Sequence, residues 1–366
     1  MIIKNKTGAT VLGVAALSLV LAACGSSSTN SSSTGSSAAA SGSGTISGAG
    51  STFAAPVYEQ WGSQISGLTV NYQPVGSGAG ITALEGKTVD FGASDPPLKS
   101  EEETALGKVG EPVQIPMFLG AITVSYNLPG VATGLKLDGK TIADIFMGKV
   151  KKWNDPEIAG QNSGVTLPST NITIVHRSDE SGTTKGFTTF LSDVSPEWKS
   201  KIGADKTVKW PTGTGAKGND GVAAAVKQTA GAVGYVEQAY ALQNNFTTAN
   251  VKNSAGNYIA PSLQSTSAAG EGLKIPADLG ISTINASGAQ AYPIASQTFI
   301  DVYKDPCKAG MSQGDAKALA AFLNFGLGKG QDELGQLYYA KLPAPILAKS
   351  KAAVSSLTCN GSPLGS

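Results

Sequence analysis

Ile172-Thr-Ile-Val-His-Arg177-Ser-Asp179-Glu-Ser181-Gly182-Thr183-Thr-Lys-Gly186-Phe-Thr-Thr-Phe-Leu191 carries the pattern on which the whole chain is built. The β-branched run Ile172–His176 reads as a strand. A polar turn follows, and Gly186–Leu191 places its apolar residues at helical spacing. Three other segments carry the same kind of turn between a strand and a helix: Gly48-Ala-Gly-Ser-Thr52-Phe53, Gly76-Ser77-Gly-Ala-Gly80 and Gly92-Ala-Ser-Asp95-Pro96. Further strands are expected at Leu68–Tyr72, Val113–Ile115, Ala121–Tyr126 and Thr298–Tyr303, and further helices at Ala54–Gln64, Ile142–Met147, Val222–Gln228 and Ala316–Phe325. Alternation of this kind predicts an α/β protein with open, largely parallel sheets. The stretches 153–168 and 244–280 read as polar loops.

The turns also carry chemistry. Glycine lets backbone approach a ligand, and the exposed N–H groups of a helix start attract anions. Ser and Thr hydroxyls add donors, although any one of these turns alone is equally a helix cap. Four in one chain, one holding the only arginine, describe a tetrahedral oxyanion site. Of 27 basic residues, Arg177 is the single guanidinium, and His176 beside it is the single histidine. A planar fork of donors fits an oxyanion as lysine cannot; the competing reading of Arg177 is a buried ion pair. Asp95 and Asp179 then stand out, because a carboxylate should repel an anion. An acceptor facing the ligand suits phosphate, which keeps at least one O–H near neutral pH, and opposes sulfate, which has none. Asp179 can instead hold the guanidinium in place, and both aspartates can be helix caps.

Composition narrows the class. The 366 residues suggest about two domains, with 41% hydrophobic and 14% charged residues and 46 glycines. Coiled coil and global disorder are excluded. A net charge near zero, with no basic stripe, argues against nucleic acid. Residues 1–23 read as a signal peptide: Lys4 and Lys6, a short apolar run, then Leu21-Ala22-Ala23-Cys24, the pattern of a bacterial lipoprotein with Cys24 acylated. Residues 24–44, almost all Ser, Gly, Ala and Thr, read as a flexible tether. Outside the cytosol, Cys307 and Cys359 pair as a disulfide, and one histidine cannot supply a zinc site. No metal or cofactor is expected.

At the motif level the chain resembles the phosphate-binding proteins of bacterial phosphate-specific ABC transporters. The resemblance rests on Gly48–Tyr58, Val89–Asp95, Leu137–Thr141, Lys151–Asp155, Asp179–Thr183, Val208–Pro211, Lys217–Gly221 and Gly234–Glu237, and spans roughly residues 46 to 345. It implies an α/β, two-lobed periplasmic-binding-protein fold of type II, each lobe a mixed sheet flanked by helices, with ligand in the interlobe cleft. Lobe I would comprise residues 45–123 and 296–366, and lobe II residues 124–295. The implied phosphate ligands are Thr52, Phe53 through its backbone N–H, Ser77, Asp95, Arg177, Ser181, Gly182 and Thr183, with Asp179 orienting Arg177. The family often has a second serine where this chain has Gly78.

Two other signals are set aside. Gly134–Thr141 fits the phosphate-loop spacing GxxxxGK[ST], but Leu135-Lys-Leu137 alternates like a strand and Asp138 would face the phosphates. His176 is the only base for a Ser-His-Asp hydrolase, no GxSxG elbow is present, and its strand position suits packing. The expectation is therefore a monomeric, lipid-anchored receptor on the outer face of the cell membrane. It binds inorganic phosphate, hands it to a permease and performs no bond chemistry. The alternatives are a receptor for sulfate or molybdate, or a secreted phosphatase.

Overall fold

The computed structural model describes residues 41–364. The expected signal peptide, Cys24 and the tether up to residue 40 lie outside the described residues. The first third runs β1 (Ser41–Gly50), α1 (Ala55–Gln64), β2 (Ser66–Gln73), α2 (Ser77–Glu85), β3 (Phe91–Ser94), α3 (Ser100–Gly107) and β4 (Pro112–Asn127). The middle continues with β5 (Lys136–Leu137), α4 (Gly139–Phe146), α5 (Pro156–Ala159), β6 (Thr173–Arg177), α6 (Gly182–Val194) and α7 (Pro196–Lys201). Next come β7 (Thr214–Ala216), α8 (Gly218–Gln228), β8 (Ala232–Glu237), α9 (Gln238–Gln243), β9 (Thr247–Thr248), β10 (Asn250–Lys252), β11 (Tyr258–Ile259) and α10 (Leu263–Gly270). The chain closes with β12 (Ala295–Tyr303), α11 (Gln313–Leu327), α12 (Lys329–Glu333), α13 (Ala344–Ser355), β13 (Thr358–Cys359) and β14 (Ser362–Pro363). Short elements thus occupy both stretches that read as loops.

The main sheet has the order β2-β1-β3-β12-β4-β8-β6-β7, with β9 added against β4. Its two ends are parallel: β1 with β2 and β3, and β6 with β7 and β8. The centre is antiparallel, β12 running against β3 and β4, and β4 against β8. The sheet is therefore mixed rather than largely parallel. The reason is the long connection: β4 carries the chain out of one half and β12 brings it back alongside, so the two must oppose. Along β4, Pro112–Ala121 pair with β12, whereas Ile122–Asn127 pair with β8.

Two sequence expectations change here. Val113–Ile115 and Ala121–Tyr126 are one 16-residue strand, not two. Pro116 between them removes a ladder donor, and the register slips at this point, Phe118 facing Thr298 but Pro116 facing Phe299. A bulge of this kind is how an interior strand accommodates proline. The last four tether residues, Ser41–Gly44, already belong to β1, paired with Ser66 and Leu68. Ladder pairing uses backbone groups, so a stretch without large side chains still forms strand. Gly44 also lets α11 close in, since a Cβ there would lie 3.1 Å from that of Ala318.

The core is continuous across the sheet. Phe118 and Phe322 each meet Tyr58 and Trp61 edge-to-face, and Phe118 meets Tyr339 in the same way, the arrangement that ring quadrupoles favour. Trp61, Trp153 and Trp198 are fully buried. Trp210 stacks on His176 with ring centroids 4.7 Å apart. Cys307 and Cys359 form a disulfide, their Cα atoms 4.9 Å apart.

Candidate functional site

The sheet order brings the ends of β1, β3 and β6 together with the starts of α1, α2 and α6. At the end of β1, Gly50 has φ +143° and lies so close to β3 that a Cβ would overlap the Ala93 carbonyl. The turn Ser51-Thr52-Phe53 follows, with all three residues buried. Ser77 opens α2 after Gly76, whose φ of +102° only glycine adopts easily. Asp95 lies one residue beyond β3 and is 2% exposed. Arg177 ends β6, and Ser181 caps α6 by accepting from the Thr184 N–H at 3.0 Å.

Chemistry-bearing groups from these six elements meet. Arg177 Nε and Nη2 donate to the two oxygens of Asp179 at 2.8 and 2.5 Å, and its Nη1 donates to Thr183 Oγ1 at 3.2 Å. Asn219 Nδ2 donates both to Thr183 Oγ1 at 3.2 Å and to Thr52 Oγ1 at 2.9 Å. Ser77 Oγ donates to Asp95 Oδ2 at 3.4 Å. A Cβ at Gly182 would overlap both Asp95 Oδ2 and Ser77 Oγ, so only glycine fits where α6 meets them. Thr52, Phe53, Ser77, Asp95, Arg177, Asp179, Ser181, Gly182 and Thr183 thus form one cluster. Beside it lies a cavity of about 200 Å³ bounded by Asp95, Pro96, Gly182, Lys185, Ser296 and Gln297.

The donors outnumber the protein's own acceptors. The N–H groups of Thr52 and Phe53 meet no protein acceptor among the described residues, and those of Gly182 and Thr183 sit in the first turn of α6, where no intrahelical partner exists. Asp179 is tied down: burial works to raise its pKa, but two hydrogen bonds and the charge of Arg177 hold it below the usual carboxylate range. Its Oδ1 also accepts from the Gly218 N–H at 3.1 Å. Asp95 behaves differently. Burial pushes it up to about 6, against the hydrogen bonds of Ser51 and Thr298 and the charge of Arg177. Its Oδ1 takes the Ser51 and Thr298 hydroxyls at 2.5 and 2.9 Å, while Oδ2 has only the long bond from Ser77 and retains acceptor capacity. The arrangement can hold a tetrahedral anion by many N–H and O–H donors and accept one hydrogen bond from an O–H of that anion.

Gly78 has its N–H on the Glu180 carbonyl at 3.1 Å, and a Cβ there would strike the Glu180 carboxylate. A serine at 78 would therefore have to displace that side chain. Sequence reasoning missed Asn219, Ser51 and Thr298. Asn219 lies in the quoted stretch Lys217–Gly221 and Ser51 in the first turn, so both were visible as positions but not as roles. Thr298 gave no signal, because it reaches Asp95 only through the β3–β12 pairing. Glu237 was also missed. The Tyr339 hydroxyl lies 2.7 Å from the Phe53 carbonyl and 2.8 Å from Glu237 Oε2. One phenolic proton cannot serve two acceptors, so Glu237 supplies the second as a neutral acid. Burial accordingly pushes its pKa well above the usual range.

Turns and helix starts gathered from both ends of a mixed sheet, with a cavity beside them, point to the class: a two-lobed binding protein. The family profile described as the PBP superfamily domain matches residues 35–329. The phosphate-binding protein PstS of Haemophilus influenzae is 42% identical over 316 residues, covering 84% of this chain and 92% of that protein. PstS3 of Mycobacterium bovis is 36% identical over 375 residues, covering 96% and 99%. In structure, a high affinity periplasmic phosphate-binding protein bound with phosphate superposes with a TM-score of 0.70 at 22% identity, covering 88% of this chain and 96% of that one. The chain belongs to the PstS phosphate-binding proteins of the PBP superfamily.

Proposed function

We propose that the protein captures inorganic phosphate outside the cytoplasm and delivers it to the permease of an ABC transporter. One observation carries the choice of anion: Asp95, an acceptor with a free lone pair in a donor-rich cluster whose other carboxylate, Asp179, is taken up by Arg177. Phosphate near neutral pH offers the proton that such an acceptor needs, and sulfate does not. The ligands are Thr52, Phe53, Ser77, Asp95, Arg177, Ser181, Gly182 and Thr183, with Asp179 holding Arg177. Charge-assisted hydrogen bonds contribute about 1.5–3 kcal/mol each, so several converging ones support micromolar or tighter binding.

Lobe I comprises residues 45–123 and 296–366, and lobe II residues 124–295; the exchange of β4 partners between Ala121 and Ile122 supports a hinge there. The lobes close on the ligand as a hinge. Cys24 carries the lipid anchor and the protein acts as a monomer at the outer face of the membrane, without bond chemistry of its own. The names of the relatives, all phosphate-binding proteins, support a binding role without bond chemistry.

Calorimetry on protein freed of ligand tests the reading. Phosphate should bind at micromolar or tighter, arsenate should compete, and sulfate and molybdate should not; sulfate binding as tight as phosphate overturns the assignment. Release of chromophore from a phosphate ester would revive the phosphatase. Cys24→Ala should appear in the medium rather than the membrane fraction, and retention at the membrane would remove the anchor.

A further inference from the structure

Three consecutive carbonyls of the first turn each accept a hydrogen bond from a different tyrosine. The Tyr72 hydroxyl donates to the Ser51 carbonyl, Tyr240 to that of Thr52 and Tyr339 to that of Phe53, all at 2.7 Å. The phenols arrive from β2, from α9 and from the segment before α13, between 21 and 286 positions away in sequence. Turns at a protein surface satisfy their carbonyls with water; here each acceptor has its own buried or half-buried donor.

The geometry of the peptide unit gives this a consequence. A carbonyl and the N–H of the next residue share one plane and point in opposite directions. Holding the Ser51 carbonyl therefore aims the Thr52 N–H, and holding the Thr52 carbonyl aims the Phe53 N–H. These two amides of the turn meet no protein acceptor among the described residues. Holding the Phe53 carbonyl aims the Ala54 N–H, which donates to Ser51 Oγ at 3.1 Å, and that hydroxyl donates in turn to Asp95 Oδ1. Each tyrosine thus sets one element of the anion site without facing the anion.

We propose that Tyr72, Tyr240 and Tyr339 are positioning residues for oxyanion binding, each fixing the direction of one amide of the 51–54 turn. The inference rests on the phosphate reading above. Tyr240 is the informative member, because it comes from α9 across the cleft. Its hydroxyl reaches Thr52 when the two halves of the site are together, so it contributes to the closed, liganded form. Tyr72 and Tyr339 hold the turn from its own side. Preorganised donors bind better because nothing is left to reorient when the ligand arrives.

The test is Tyr240→Phe in the full chain, with Tyr303→Phe as control. Tyr303 makes the same kind of bond, to the Leu84 carbonyl at 3.0 Å, away from the site. Losing one neutral hydrogen bond corresponds to about three- to tenfold in affinity. Tyr240→Phe should weaken phosphate binding by that factor through faster dissociation, leave the ligand-free melting temperature unchanged, and move the Phe53 amide resonance of the phosphate complex. Tyr303→Phe should lower the melting temperature and leave affinity alone. A loss below threefold in Tyr240→Phe, an unmoved Phe53 amide, or a lowered ligand-free melting temperature overturns the proposal. The parent protein is titrated first, so failure of phosphate to bind it sinks the phosphate reading, whereas normal binding in both proteins sinks only the role of the tyrosine.

Discussion

α4 and α6 both begin where a strand gives way to a turn rich in Gly and Thr, and only the α4 turn has the spacing of a phosphate loop. Asp138 caps α4, its Oδ1 accepting the Thr141 N–H at 2.8 Å. The partial positive charge of the helix start is thus met by the chain's own carboxylate. Lys140 of the same motif turns away to Asp144 and Glu157. At α6 the cap is the neutral Ser181, the carboxylate of Asp179 is spent on Arg177, and the Gly182 and Thr183 amides meet no protein acceptor among the described residues. On the proposed reading of the site, the contrast teaches that a helix start becomes an anion site when its cap is uncharged and a cation is held beside it. Spacing of glycine, lysine and threonine does not decide it.

The comparison can be broken experimentally, beginning with its strongest element. Arg177→Ala removes the cation and leaves Asp179 buried without its partner; phosphate affinity measured by calorimetry should fall by at least about a hundredfold. Near-parental affinity would end the account of α6. Ser181→Asp gives α6 the charged cap of α4. The helix keeps a good cap, so melting should change little, while phosphate binding should weaken by about tenfold or more. Unchanged affinity would mean that cap charge is irrelevant. Asp95→Asn should let sulfate compete with phosphate; a competition assay in which sulfate still fails would remove the proton-acceptor argument.

Acidity should act in the same direction. The Asp95 carboxyl, at about 6 in the folded protein, is raised above its ordinary value. It is therefore ionised at pH 7.5 and neutral below about pH 5. Sulfate competition should appear as pH falls through 6, and constant exclusion from pH 7.5 to 5 would contradict the shift. The same sign makes this group's contribution to stability fully present below its unfolded pKa and lost as pH rises through 6. The smallest effect belongs to α4. Asp138→Ala should cost about 1 kcal/mol of stability by thermal melting, with phosphate affinity within about twofold of the parent. A larger loss of affinity would make the α4 turn part of the site.

Parts of this molecule were legible as local requirements. Glycines in the turns let backbone approach closely, Ser and Thr there can cap a helix, and a lone arginine among 27 basic residues suits an oxyanion; each follows from a few neighbouring residues. The four turns and the residues in them were read on that footing, as were the main helices. What escaped depends on distant pairing. Asn219 joins Thr52 across 167 positions and Tyr240 across 188, while Thr298 meets Asp95 across 203. An asparagine, a tyrosine and a threonine look ordinary in their own segments. The union of two apolar runs into one β4, and the antiparallel centre of the sheet, likewise required knowing which strands lie side by side.

By itself, the amino-acid order determined an alternating α/β chain, the donor-rich turns and residue types suited to an oxyanion, because backbone dihedrals, caps and side-chain chemistry are short-range properties. Tertiary structure decided which turns share one space, which carboxylate is consumed by an ion pair and which keeps a free lone pair, and which tyrosines hold the turn's carbonyls. Those outcomes depend on strand order and burial, which set distances and the cost of charge between residues far apart along the chain.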